Sequence, residues 1–101
     1  MDTFEFITDK VPQTELLAQL AEEAVELAHA ALKLRRTYDD TNPTPVTSRE
    51  AFEKLKEELA DVQLLVNVLG FHQHGLEICR TMQTKLERWA QRLKEVQYGT
   101  K

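Results

Sequence analysis

Apolar residues recur every three or four positions through most of the chain, and three Gly and three Pro punctuate that rhythm. The pattern predicts three main helices. The first begins near Pro12, a residue suited to a helix's first turn, and continues to about Arg36. Lys33, Arg35 and Arg36 then stand at the end where a helix dipole favours cations. Thr37 to Thr47, TYDDTNPTPVT, reads as a loop. A capping box at Thr47-Ser48-Arg49-Glu50 opens the second helix, which runs to about His74 with Gly75 as its stop and Gly70 as a loosening point. The third helix occupies about Leu76 to Tyr98. Its Cys79, Met82, Leu86, Trp89, Leu93 and Val96 alternate by three and four and make one apolar seam, with Trp89 read as core. Gly99-Thr100-Lys101 is expected to fray, and Phe4 to Ile7 are apolar enough to dock as an extra turn.

Alternating runs of β-branched and aromatic residues are missing, so the fold class is all-α, a bundle of three main long helices. The first helix carries a second apolar stripe in Leu17, Ala21, Val25, Ala28 and Leu32. Such a surface calls for cover by another chain's helices, which predicts a homo-oligomer, a homodimer or homotetramer.

Length and charge narrow the classes further. A chain of 101 residues is read as one domain, residues 1–101, with a modest core. Thirteen Lys plus Arg against seventeen Asp plus Glu give a net charge of −4, which leaves no broad cationic field for nucleic acid or anionic lipid. A hydrophobic share of 42% is too high for a disordered chain. The single cysteine, Cys79, excludes an intrachain disulfide and a multi-cysteine zinc site; it reads as a small buried thiol and points to the cytoplasm. The opening MDTFEFITDK carries acids where a signal peptide needs a basic start, so export is not expected. No run approaches the ~18–20 apolar residues that cross a bilayer, so no membrane partner is expected.

Turning each helix by ~100° per residue exposes an anomaly. Glu23 falls among Leu16, Leu20, Leu27 and Leu34, with Glu26 one turn on at the stripe's edge and Glu22 just beyond. On the second helix Glu58 falls among Leu55, Val62, Leu65 and Leu69, with Asp61 one turn on. Each helix therefore offers an i, i+3 carboxylate pair on one face. Unpaired carboxylates among leucines lose several kcal/mol of hydration, and neighbours repel one another. Protonation, basic partners or a divalent cation would each compensate. Clustered carboxylate oxygens without Cys or nearby His favour a hard ion, Mg²⁺ first and Mn²⁺ second.

The segments Glu22-Glu23-Ala24-Val25-Glu26 and Glu58-Leu59-Ala60-Asp61 resemble the paired EExxE and ExxD motifs of the MazG-like all-α nucleoside triphosphate pyrophosphohydrolases. The resemblance covers roughly residues 14 to 95, and thirty-one residues separate the two motifs, a long connection for that family. It implies that Glu23, Glu26, Glu58 and Asp61 hold Mg²⁺ against a nucleotide's phosphates while water attacks the α-phosphorus, releasing the monophosphate and pyrophosphate. Glu22, the remaining family acid, is assigned to position or deprotonate that water, or to support a metal ligand. Lys85, Arg88 and Arg92 on the third helix are similar to the family's basic C-terminal segment that contacts phosphates; Lys85-Leu86-Glu87-Arg88-Trp89 follows its arrangement loosely. The same basic residues read equally as a solvated face pairing with Glu87 and Glu95.

Other features carry less. His29 reads as a surface residue, and His72 and His74, two positions apart, point away from each other on a helix. Asp39 and Asp40 are ordinary turn acids. The expected activity is nucleoside triphosphate pyrophosphohydrolysis for nucleotide-pool cleaning. The alternatives are phosphoribosyl-ATP pyrophosphohydrolysis, which shares the chemistry, and a noncatalytic helical interaction module whose acids pair with basic side chains.

Overall fold

The computed structural model describes residues 2–39 and 43–98, and among them every regular element is helical. They are α1 (Thr3–Lys10), α2 (Gln13–Asp39), α3 (Ser48–Val68), a 3-10 turn (Phe71–His74) and α4 (Gly75–Tyr98). The chain divides after Gly70 into two compact units, the first holding α1 to α3 and the second holding the 3-10 turn and α4.

Local chemistry sets the boundaries. Asp2 caps α1, its carboxylate accepting from the Glu5 N–H at 2.8 Å. Pro12 lies just outside α2, and its carbonyl accepts the first helical bonds from the Glu15 and Leu16 N–H groups. Thr47 caps α3: the Glu50 N–H donates to Thr47 Oγ1 at 3.1 Å, and the carboxylate of Glu50 turns back to accept from the Thr47 hydroxyl, not from the backbone N–H of a full capping box.

Several boundaries differ from those read in the sequence. Helix α2 continues through Thr37 and Tyr38 to Asp39, so these are not loop residues; the Thr37 hydroxyl donates to the Leu34 carbonyl at 2.7 Å and remains compatible with the helix. Asp40 and Gly99 to Lys101 lie outside the described residues. Helix α3 ends at Val68, not near His74, because Gly70 adopts φ +90°, a left-handed conformation that terminates a helix and suits glycine. Gly75 accordingly starts α4 and stops nothing. Phe4 to Ile7 belong to α1, which packs against α3 without burying any residue of its own.

Within the first unit α2 and α3 form an antiparallel pair. Ser48, opening α3, donates to Thr37 near the end of α2 at 2.8 Å, while Glu23 in mid-α2 approaches Glu58 and Asp61 further along α3. The buried apolar residues are Leu16, Ala30 and Leu34 from α2 with Ala51 and Leu65 from α3. Ala30 and Ala51, small side chains in the seam, permit close approach of the two backbones. The first helix's second stripe stays exposed at Leu17, Val25 and Leu32.

The seam of α4 is present as a pattern but not as core. Met82, Leu86, Trp89, Leu93 and Val96 are all exposed, Trp89 at 60%, and Cys79 is exposed as well. The expected buried thiol and core tryptophan are therefore corrected: helical periodicity aligns these side chains on one face, but it does not supply a surface to cover that face. Among the described residues no helix is long and apolar enough to cross a membrane.

Two substitutions test this account. Leu65→Ala removes a buried side chain from the α2–α3 seam and is expected to cost about 2–5 kcal/mol, whereas Thr47→Ala removes one cap and should cost about 1 kcal/mol. Urea unfolding midpoints at fixed protein concentration separate the two.

Candidate metal centre

The acids occupy the apolar seam because helical phase puts them there. Glu58 follows Leu55 and precedes Val62 and Leu65 on the inner face of α3, and it is 5% exposed, the buried charged residue of the described chain. Glu23 lies half-buried on the facing side of α2, and Asp61 is half-buried one turn beyond Glu58. One carboxylate oxygen from each of Glu23, Glu58 and Asp61 lies within 4.8 Å of the other two. Two rigid helices thus converge three carboxylates.

The remaining motif acids stand differently. Glu26 is exposed and outside this three-atom group, but it lines a recess of about 240 Å³ beside Glu58, together with His29, Ala30, Lys33 and Lys54. Glu22 is exposed at the head of the motif. His29 is a surface residue, as its sequence position suggests.

Electrostatics register the crowding. Desolvation first, and then repulsion from Asp61, Glu58, Glu26 and Glu22, push the Glu23 carboxyl above the usual carboxylate range. Glu58 is relieved by a residue the sequence reading passed over: Lys54 Nζ stands 2.9 Å from Glu58 Oε1. The hydrogen bond to Glu58 is the first cause, ahead of attraction to Glu57 and Glu58, of a Lys54 ammonium pushed above the usual lysine range. Its signal was the spacing, four residues before Glu58 on the same helix face.

The donor set suits a hard divalent ion. Three oxygens from three carboxylates, with no thiolate or imidazole among them, match the ligand preferences of Mg²⁺ and Mn²⁺, and a dication offsets the mutual repulsion that adds to desolvation in lifting Glu23.

The basic face of α4 is a separate feature of the second unit. Lys85 and Arg88 line a shallow groove of about 380 Å³ with Arg80, Thr81 and Thr84; Arg92 lies outside that lining. Arg80 is the cation the sequence reading missed, although it precedes Arg88 by two helical turns. The solvated pairing with Glu87 and Glu95 does not form among the described residues. Those carboxylates instead accept from Gln83 at 3.0 Å and Gln91 at 3.3 Å, one turn earlier.

The raised Glu23 carboxyl sets a pH dependence. The folded chain keeps that proton to higher pH than the unfolded chain does, so metal-free stability should fall as pH rises from the usual carboxylate range through the raised value. Urea midpoints in EDTA across that window should show the decline; Glu23→Gln should remove its share, and Mg²⁺, by favouring the ionised carboxylate, should flatten it.

Searches of curated proteins and of solved structures each return no match for this chain. A family comparison does: residues 12–97 match the MazG nucleotide pyrophosphohydrolase domain, a span that contains both acidic motifs, the converging carboxylates and the basic face of α4. With most of its length accounted for by that match, the chain belongs to the MazG nucleotide pyrophosphohydrolase family.

Proposed function

We propose that this protein is a Mg²⁺-dependent nucleoside triphosphate pyrophosphohydrolase that cleaves the α–β phosphate bond and serves nucleotide-pool cleaning. The observation that carries the reading is the convergence of Glu23, Glu58 and Asp61 around a buried Glu58 in a chain of this family. In this assignment Glu23, Glu58 and Asp61 hold the metal, and Glu26, beside Glu58 in the recess, completes the set. When bound, Mg²⁺ supplies the positive charge that stabilises the transferring phosphoryl group. Glu22, exposed at the head of the motif, positions or deprotonates the attacking water, or supports a metal ligand. Lys85, Arg88 and Arg92 bind substrate phosphates, a role that fits cations in and beside one groove of α4.

The same reading includes self-association as a homodimer or homotetramer. Leu17, Val25 and Leu32 on α2 and Met82, Leu86, Trp89, Leu93 and Val96 on α4 are exposed apolar side chains that the helices of a second copy would cover. The rival reading, a noncatalytic module whose acids are neutralised by basic side chains, has one observation in its favour, the Lys54–Glu58 pair.

Pyrophosphate release from canonical and modified nucleoside triphosphates and from phosphoribosyl-ATP, with Mg²⁺ and with EDTA, tests the activity and ranks the substrates. Turnover should need the metal and yield pyrophosphate with the monophosphate. Glu58→Gln should reduce it by more than the about 10–100-fold typical of disturbing a residue that supports a ligand, and should weaken Mg²⁺ binding. In the module, Glu58→Gln would be neutral or stabilising, and absence of both turnover and Mg²⁺ binding in the unmodified protein would refute the enzyme reading.

A further inference from the structure

Glu58 is the most deeply buried acid of the first unit, and its charge is balanced by a side chain that is itself mostly in solvent. The Lys54 side chain is 55% exposed and reaches Glu58 Oε1 at 2.9 Å, with Glu57 3.8 Å away as a looser second partner. Among the described residues no buried side-chain nitrogen or oxygen lacks a hydrogen-bond partner, so Lys54 belongs to what makes the buried carboxylate tolerable. The pair places lysine before glutamate along the helix, the weaker of the two orders for an i, i+4 contact. Helix stability alone is thus a poor account of Lys54 at this position.

Where Lys54 would go without Glu58 is also visible. It already lines the recess of about 240 Å³ with Glu26, His29, Ala30, Lys33 and Glu58 itself, and Lys33 is its second ammonium. We propose that Lys54 is an exchangeable counter-ion: it occupies Glu58 until a divalent cation takes that carboxylate, and the released ammonium then joins Lys33 in binding a phosphate group of the ligand. The inference rests on the metal-binding reading above and adds a residue to it. A dication facing three carboxylates outcompetes one ammonium facing one of them, so the exchange runs in the required direction. With more than half of the Lys54 side chain in solvent, the swing is open to it. Filling the metal site would thereby turn a recess of balanced charge into a cationic one, coupling metal binding to anion binding.

Lys54→Met tests the exchange, with Lys56→Met as control. Lys56 is equally exposed and pairs with Glu53 at 3.1 Å, so its loss changes net charge by the same amount away from the carboxylates. Calorimetry should show Mg²⁺ binding Lys54→Met about two- to fivefold more tightly than the unmodified protein, the range an ion pair with an exposed partner supplies. Inorganic pyrophosphate, titrated at saturating Mg²⁺, should bind Lys54→Met more weakly. Lys54→Arg should restore both values, and Lys56→Met should move neither. Opposite shifts in the two affinities are not expected of a lysine that only braces the helix. Unchanged or weakened Mg²⁺ binding, or unchanged pyrophosphate binding, in Lys54→Met would overturn the proposal. If the unmodified protein binds Mg²⁺ and turns over while Lys54→Met matches it, the counter-ion role alone falls; if the unmodified protein binds no Mg²⁺, both readings fall.

Discussion

A carboxylate placed in the apolar seam between two helices must be compensated, and the arrangement of the first unit follows from how Glu58 meets that requirement. Replacing Glu58 by leucine would remove a desolvation cost and improve the α2–α3 contact. Glu58 is nonetheless buried among Leu55, Val62 and Leu65, at a cost in desolvation that a use for its charge would offset. Glu23 and Asp61 then make the electrostatics harder, since each added carboxylate repels the others and Glu23 already holds its proton more tightly than an ordinary acid. Such strain is tolerable on rigid helices, where backbone hydrogen bonds and the packing of Leu16, Leu34 and Leu65 hold the side chains in register.

Each unit carries one local concentration of charge. Carboxylates converge between α2 and α3, whereas α4 presents Arg80, Lys85 and Arg88 around one groove. Carboxylates gathered this closely repel one another, which is why their chemistry suits a bound cation in a chain of the MazG nucleotide pyrophosphohydrolase family. Lys54 introduces a link inside the first unit, because the same ammonium borders both the carboxylates and the recess beside them.

Much of the design is legible without coordinates. The all-α class follows from three-four periodicity, and the helix start at Thr47, with Glu50 three residues on, is local chemistry. The burial of Glu58 and the facing of Glu23 follow from helical phase, since a residue amid leucines on one helix face shares their environment. Family membership rests on a match over residues 12–97, a span that includes these acids.

Tertiary structure decided what depends on distance between elements or on a single backbone dihedral. Periodicity could not end α3 at Val68, because that depends on Gly70 adopting a positive φ rather than continuing the helix. Nor could it show that the α4 seam, Cys79 and Trp89 included, stays exposed, since a stripe specifies a face and not its cover. Which acids converge was equally beyond it: Glu23 joins Glu58 and Asp61 while Glu26 turns to the recess, a choice made by the packing of α2 on α3 and the reach of each side chain. The sequence by itself determined the helices and the faces they carry, because both arise from interactions a few residues apart. The carboxylate geometry and the Lys54 contact needed three-dimensional packing, because their energies vary over distances shorter than one helical turn.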